Sequence, residues 1–136
     1  MTVETLVTEE NSRLNPVFPV LIALAAWIVP GLGHLCLRRW VRALGFFATA
    51  GGLALAGYAL HGEAFSPGSA DPFGTLGFLA DACSGVFYFL PRVLTNARPD
   101  LSHAAGDYGT RFIAAAGIVN LLAVIDAYAT ARGERS

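Results

Sequence analysis

Between Arg42 and Arg92 the chain carries only three charged side chains, Glu63, Asp71 and Asp81. That stretch is long enough to cross a bilayer twice, at about 20 residues per helical crossing. Over the whole chain 14% of residues are charged and 54% are apolar, with a mean hydropathy of +0.53. Soluble domains average about 25% charged, and a small one must cover a proportionately large surface with polar groups. This chain has too few, and lipid is the solvent that tolerates the deficit. The expected fold class is therefore all-α: an integral membrane helical bundle of about four transmembrane helices.

The same arithmetic narrows the function classes. Net charge is −1, and all nine basic residues are Arg, so no basic surface points to nucleic acid. Cys36 and Cys83 both lie in apolar runs, where cysteine acts as a small hydrophobe, and two cysteines make no disulfide framework. There is no Gly-rich phosphate loop, Ser nucleophile motif or His-Glu helix motif, and no cofactor or metal is expected. Glu4, Glu9 and Glu10 against Arg13 give the N-terminus the wrong sign for a cleaved signal. The run from Val17 reads instead as a retained membrane helix.

Residues 1–15 read as a polar tail, frayed or lying at the interface, and 132–136 as a second short tail. Between them, 16–131 form one transmembrane domain. Asn15-Pro16 is a helix start signal, an N-cap followed by proline in the first turn. The run from Val17 to Val29 gives only about 20 Å of helix, short of the roughly 30 Å hydrocarbon core. The shortfall is made up by 30–37, which begins with Pro30-Gly31. Proline removes a donor and clashes with the preceding turn, so the first span is expected to break there and to pack against protein rather than lipid.

The second span is expected over residues 40–60, with Gly45, Ala48, Gly52 and Ala56 on one stripe. Such small-residue stripes let helix backbones approach closely in lipid. A turn-rich loop, 61–71, leads to Asp71-Pro72 and a third span over 73–90, stopped near Pro91-Arg92. One face of it carries Gly74, Gly77, Asp81, Ser84 and Tyr88. A polar linker over 93–110, holding Arg98-Pro99-Asp100, precedes the last span, 111–129, whose stripe is Ala116, Asn120, Ala123 and Ala127. The alternative count is three spans, with the broken first segment re-entrant. Arginines concentrate around 38–42 and 92–111, so the positive-inside rule puts those loops in the cytoplasm and both termini outside.

The segment Pro30-Gly31-Leu32-Gly33-His34-Leu35-Cys36-Leu37-Arg38-Arg39-Trp40-Val41-Arg42-Ala43-Leu44 resembles a Pro-Gly-Leu-Gly-His-Phe-Tyr-Leu-Gly turn followed by basic residues. That turn belongs to small bacterial multi-pass proteins similar to the two-helix membrane module called the TM-two domain. Tyr108-Gly109, Asn120-Leu121-Leu122 and Asp126-Ala127-Tyr128 resemble a bacterial family of unknown function that begins with such a hairpin. The resemblance implies a membrane-embedded helical fold, in the bacterial inner membrane, with a cytoplasmic turn. It implies no activity. The chain departs from the pattern at Leu35 (Phe in the family), Cys36 (Tyr) and Arg38 (Gly).

Four intramembrane polar residues are candidates for chemistry. Asp81 costs about 2.5–3.5 kcal/mol at the middle of a span and should face the bundle interior, to relay protons or bind a cation, or as a hydrogen-bonded packing residue beside Ser84 or Tyr88. Asn120 reads as interhelical glue. Asp126 sits near a helix C-terminus, where the macrodipole disfavours an anion, so it needs a partner such as an interfacial Arg. His34 is expected to satisfy carbonyls freed by Pro30. Arg38, Arg39 and Arg42 set topology or hold anionic headgroups, each worth about 1 kcal/mol at the surface. The expected role is a structural or interaction component of a membrane assembly, with the lipid bilayer and a homo-oligomer or larger complex as partners. The alternative is a minimal ion, proton or small-solute transport component using Asp81. Because acyl chains are the assumed solvent, the purified chain is expected to need detergent or lipid to stay dispersed. A monodisperse gel-filtration peak in plain buffer would refute the membrane reading.

Overall fold

A computed structural model of the chain describes residues 2–65, 68, 70–94, 102 and 104–134, with side chains at all of these except 8, 9, 11–14, 91, 92 and 94. The described residues form seven helices and no strand. The first, α1 (Val3–Leu14), is regular where a frayed or interfacial tail was expected; the carbonyl of Thr2 accepts the amides of Thr5 and Leu6 to start it. α2 (Val17–Ile28) begins one residue later than expected, with Pro16 and not Asn15 at the cap position, although Asn15 Oδ1 still accepts the Val17 amide at 3.1 Å.

The break after α2 follows from three successive residues. Val29 precedes proline and is driven to extended backbone, with φ −126° and ψ 116°. Pro30 follows, and Gly31 takes φ +87°. A Cβ on Gly31 would collide with the carbonyl of Ala43, so glycine alone allows the turn to lie against the next helix. The chain resumes as α3 (Leu32–Cys36), turns through Arg38, and enters α4 (Trp40–Ala59). Arg38 has φ +59°, a left-handed conformation that costs a non-glycine residue roughly 1–2 kcal/mol. A glycine at this position would be free of that cost.

The third expected span is broken too, which the sequence reading did not anticipate. α5 (Pro72–Ala82) ends at Cys83, Gly85 takes φ +62°, and α6 (Val86–Leu94) runs on through position 91 instead of stopping there. The last helix, α7 (Ala104–Ala131), starts well before residue 111 and absorbs the end of the expected linker. Residues 95–101 and 103, including Arg98-Pro99-Asp100, lie outside the described residues.

α7 is the axis of the molecule, packed by α4, α2 and α5. It contributes one fully buried residue to each of three small apolar clusters: Ile113 with Ala64 and Tyr88, Ala116 with Ala50, Ala54 and Phe87, and Ala127 with Ile22 and Ala26. These span 14 residues, or about 21 Å along its length. Only small side chains permit such contact. A Cβ on Gly117 would enter the Ala80 carbonyl of α5, and Gly57, Gly62 and Gly109 meet backbone to backbone where α4 ends against α7.

α4 presents its other side to α7 than the stripe singled out above. The buried set is Ala43, Ala50, Gly51, Ala54 and Gly57, whereas Gly45, Ala48, Gly52 and Ala56 lie on the outer face, with open space beside Gly45 and Gly52. Both faces of this helix are lined with small residues, so spacing alone did not identify the inner one. On α5 and α7, Gly74, Ala116 and Ala123 are buried, and Gly77 lies under the Phe65 ring. Gly117→Ala is expected to destabilise the bundle by about 2 kcal/mol or more, because backbone must move to admit the methyl. Gly45→Ala should be neutral or mildly stabilising. Thermal unfolding in detergent distinguishes the two.

Candidate functional site

The polar residues gather at three places along the axis, each beside a backbone irregularity. At the centre, Asn120 of α7 is fully buried, and its Nδ2 donates to the carbonyls of Trp27, 3.0 Å, and Cys83, 2.7 Å. These are the last turns of α2 and α5, whose final carbonyls have no intrahelical partner. The amide has two donors and meets two acceptors, which fixes its orientation. Trp27 adds a direct tie, its Nε1 donating to Ala82 at 3.1 Å. Gly85 completes the junction: a Cβ there would strike the carbonyls of Trp27 and Ile28. The two helix breaks are thus one feature, clamped by one asparagine. Trp27, Cys83 and Gly85 were missed by sequence reasoning, although Ser84-Gly85 inside an apolar run is a turn signal.

Toward the Arg-rich end, His34 of α3 is fully buried, and its Nε2 lies 2.9 Å from Oδ2 of Asp126 on α7. Arg42 Nη1 reaches the same oxygen at 3.4 Å. An ionised Asp126 requires the Nε2–H form of the imidazole, so the carboxylate accepts from both groups. The His34 ring stacks on Phe46, with centroids 5.0 Å apart. His34 therefore joins α3 to α7 through Asp126, and does not serve the carbonyls freed at Pro30 as expected. The partner that the helix dipole demanded for Asp126 is this histidine together with Arg42.

Asp81 occupies the third place and is fully buried. Its Oδ2 accepts the Phe65 amide at 2.6 Å, while Tyr88 donates from its hydroxyl to the Phe65 carbonyl at 3.1 Å. Both polar groups of one loop residue are thereby held, and Phe65 lies over Gly77. Ser84 donates to the backbone carbonyl of Asp81, 2.6 Å, in the turn after α5. The loop is held further along by Thr110, whose Oγ1 accepts the Glu63 amide. Asp81, Asn120 and the His34–Asp126 pair are thus separate centres, each tied to a different turn. Among the described residues no three His, Cys, Asp or Glu side chains converge as metal ligands, and Cys36 and Cys83 are free thiols.

Arg38, Arg39 and Arg42 line a shallow depression of about 350 Å³ with Trp40 and Val41. Beside it runs an apolar groove of about 310 Å³, lined by the broken segment 29–32 and by Leu35, Trp40, Ala43, Leu44 and Phe47.

Asn120→Leu, which keeps volume but removes both donors, is expected to cost about 1–3 kcal/mol, the penalty for buried carbonyls left unbonded. Asn120→Asp should cost more, because an ionised carboxylate would face two carbonyl oxygens. Reversible unfolding in mixed micelles measures both, and a Leu variant as stable as the parent would remove the clamp from the argument.

A family model described as a family of unknown function (DUF6677) matches residues 21–135. No curated protein and no solved structure gives a significant match. The matched segment begins inside α2 and takes in both helix breaks, the three polar centres and all of α7. On that coverage, the chain belongs to the family of unknown function DUF6677.

Proposed function

We propose that this chain is a multi-pass membrane protein that acts as a structural or interaction component of a membrane assembly. Two helices, Trp40–Ala59 and Ala104–Ala131, are long and apolar enough to cross a membrane. In the proposal the broken pairs α2–α3 and α5–α6 enter from opposite ends as re-entrant hairpins, since Gly33 of α3 returns to Ile22 and Ala26 of α2, and Tyr88 of α6 returns to Ile113 and Phe65 after α5 has reached Asn120 at Cys83. The supporting observation is what the bundle leaves outside. Val41, Leu44, Leu55, Phe73, Ile118 and Ile125 are all more than half exposed, a surface suited to acyl chains and not to water. The Arg-rich turn at 38–42 and the C-terminal end of α7 lie at one end of the bundle, Arg42 beside Asp126 and Leu37 beside Ala131, so the expected placement of the C-terminus opposite that turn does not hold; in the proposal this shared end faces the cytoplasm. A bacterial inner membrane is the setting the family resemblance suggests.

The interaction role rests on one observation: Gly45, Ala48, Gly52 and Ala56 form a small-residue stripe on the outer face of α4. The bundle closes on the opposite side of that helix, so the stripe is left for a helix from outside, a second copy or a partner subunit. Asp81 is spent on holding the Phe65 loop, which favours this reading over transport through that carboxylate.

The test is oxidative cross-linking in native membranes, in a Cys36→Ser background. Ala48→Cys or Gly52→Cys should give a defined cross-linked species, whereas Phe47→Cys, exposed but turned by about 100° or more from each of these positions, should give little. Asp81→Asn keeps an acceptor for the Phe65 amide and should leave the cross-linked species intact. A strictly monomeric product at every stripe position would overturn the proposal.

A further inference from the structure

We infer that the turn between α3 and α4 is a binding site for one anionic phospholipid, its phosphate over Arg38 and Arg39 and one acyl chain in the adjoining groove. This rests on the membrane reading above and adds a specific ligand to it.

Three observations combine. First, the cationic depression and the apolar groove are neighbours, and Trp40 lines both. A ligand filling both must carry an anion joined to an apolar chain, which free phosphate lacks. Second, the groove descends from the turn along α4 through Ala43, Leu44 and Phe47, with the α2–α3 break forming its other wall. Seven residues of helix give it about 10 Å of depth. It thus runs from the level of the headgroups, where the Trp40 ring belongs, toward the hydrocarbon. The break creates this wall, since a continuous helix through Pro30 would present side chains where the bent backbone now recedes.

Third, Arg38 stands in left-handed backbone, where glycine would fit without strain. The three arginines therefore border the site together: Arg38 from the strained position, Arg39 just before α4, and Arg42 in its first turn. Arg42 is anchored on its inner side by Asp126, which fixes the edge of the depression. Arg38 and Arg39 carry the headgroup. Guanidinium forks match phosphate oxygens in pairs, and the first-turn amides of α4 add the positive end of its dipole. On the proposed topology this mouth opens to the cytoplasmic leaflet, where anionic lipids are attracted to arginine.

The test uses the full chain in phosphatidylcholine vesicles doped with a small fraction of phosphatidylglycerol brominated on its acyl chains, which quenches tryptophan on contact. Brominated phosphatidylcholine is the comparison. The anionic lipid should quench Trp40 selectively and saturably at low mole fraction, and Trp40→Phe should abolish the selective part. The double variant Arg38→Gly, Arg39→Gln should lower the preference by roughly 30-fold, at about tenfold per 1.4 kcal/mol and 1 kcal/mol per arginine. It should also unfold no more easily than the parent, because glycine relieves the turn. Inorganic phosphate should not displace the lipid. Equal quenching by both lipids, selectivity surviving in Trp40→Phe, an unchanged preference in the double variant, or displacement by phosphate alone would each overturn the site. Failure of the chain to enter vesicles at all would instead sink the membrane reading, and the two failures are distinguishable.

Discussion

Backbone polarity governs this molecule. An amide or carbonyl released from a helix inside an apolar bundle finds no water and must find a protein partner. This chain releases such groups twice, at Val29–Gly31 and at Cys83–Gly85, and it meets both obligations at nearly one point. Asn120 takes a carbonyl from each break, the Trp27 indole takes another, and Gly85 lets the two turns touch. The remaining polar side chains follow the same logic. Asp81 and Tyr88 hold the two polar groups of Phe65, and Asp126 gathers His34 and Arg42. The polar residues of the interior thus mark where the helices are irregular.

The packing that surrounds these centres is built from absence of side chain. Gly117 admits the Ala80 carbonyl, and Gly57, Gly62 and Gly109 bring three backbones together. In the proposed membrane setting, burying apolar atoms gains little over leaving them against acyl chains, and close backbone approach and interhelical hydrogen bonds supply most of the cohesion. The long exposed side chains are correspondingly on the outside.

Much of this was legible in the residues. The helix start near Asn15-Pro16, the break at Pro30-Gly31, the span of α4 and the inward position of Asp81 and Asn120 follow from local rules that act within a turn or two of helix. What was not legible depended on contacts distant in sequence. The break at Gly85 is set by carbonyls more than fifty residues away, and an isolated glycine in an apolar run does not reveal which neighbour needs the space. The inner face of α4 was ambiguous because small residues line both of its sides. His34 was assigned to nearby carbonyls because its true partner, Asp126, lies 92 positions on. The early start of α7 was hidden by Gly106 and Gly109, which read as linker residues, although Gly109 receives the end of α4.

The clamp at Asn120 has a mechanical corollary. One amide serves two bent segments, so neither can be freed without the other. Sliding the long helix by a single residue would lift that amide by about 1.5 Å and swing it through roughly 100°, severing both links in one stroke. The axial register of α7 is therefore a shared latch: whatever grips its ends from outside also governs the angle at which two distant parts of the chain are folded over.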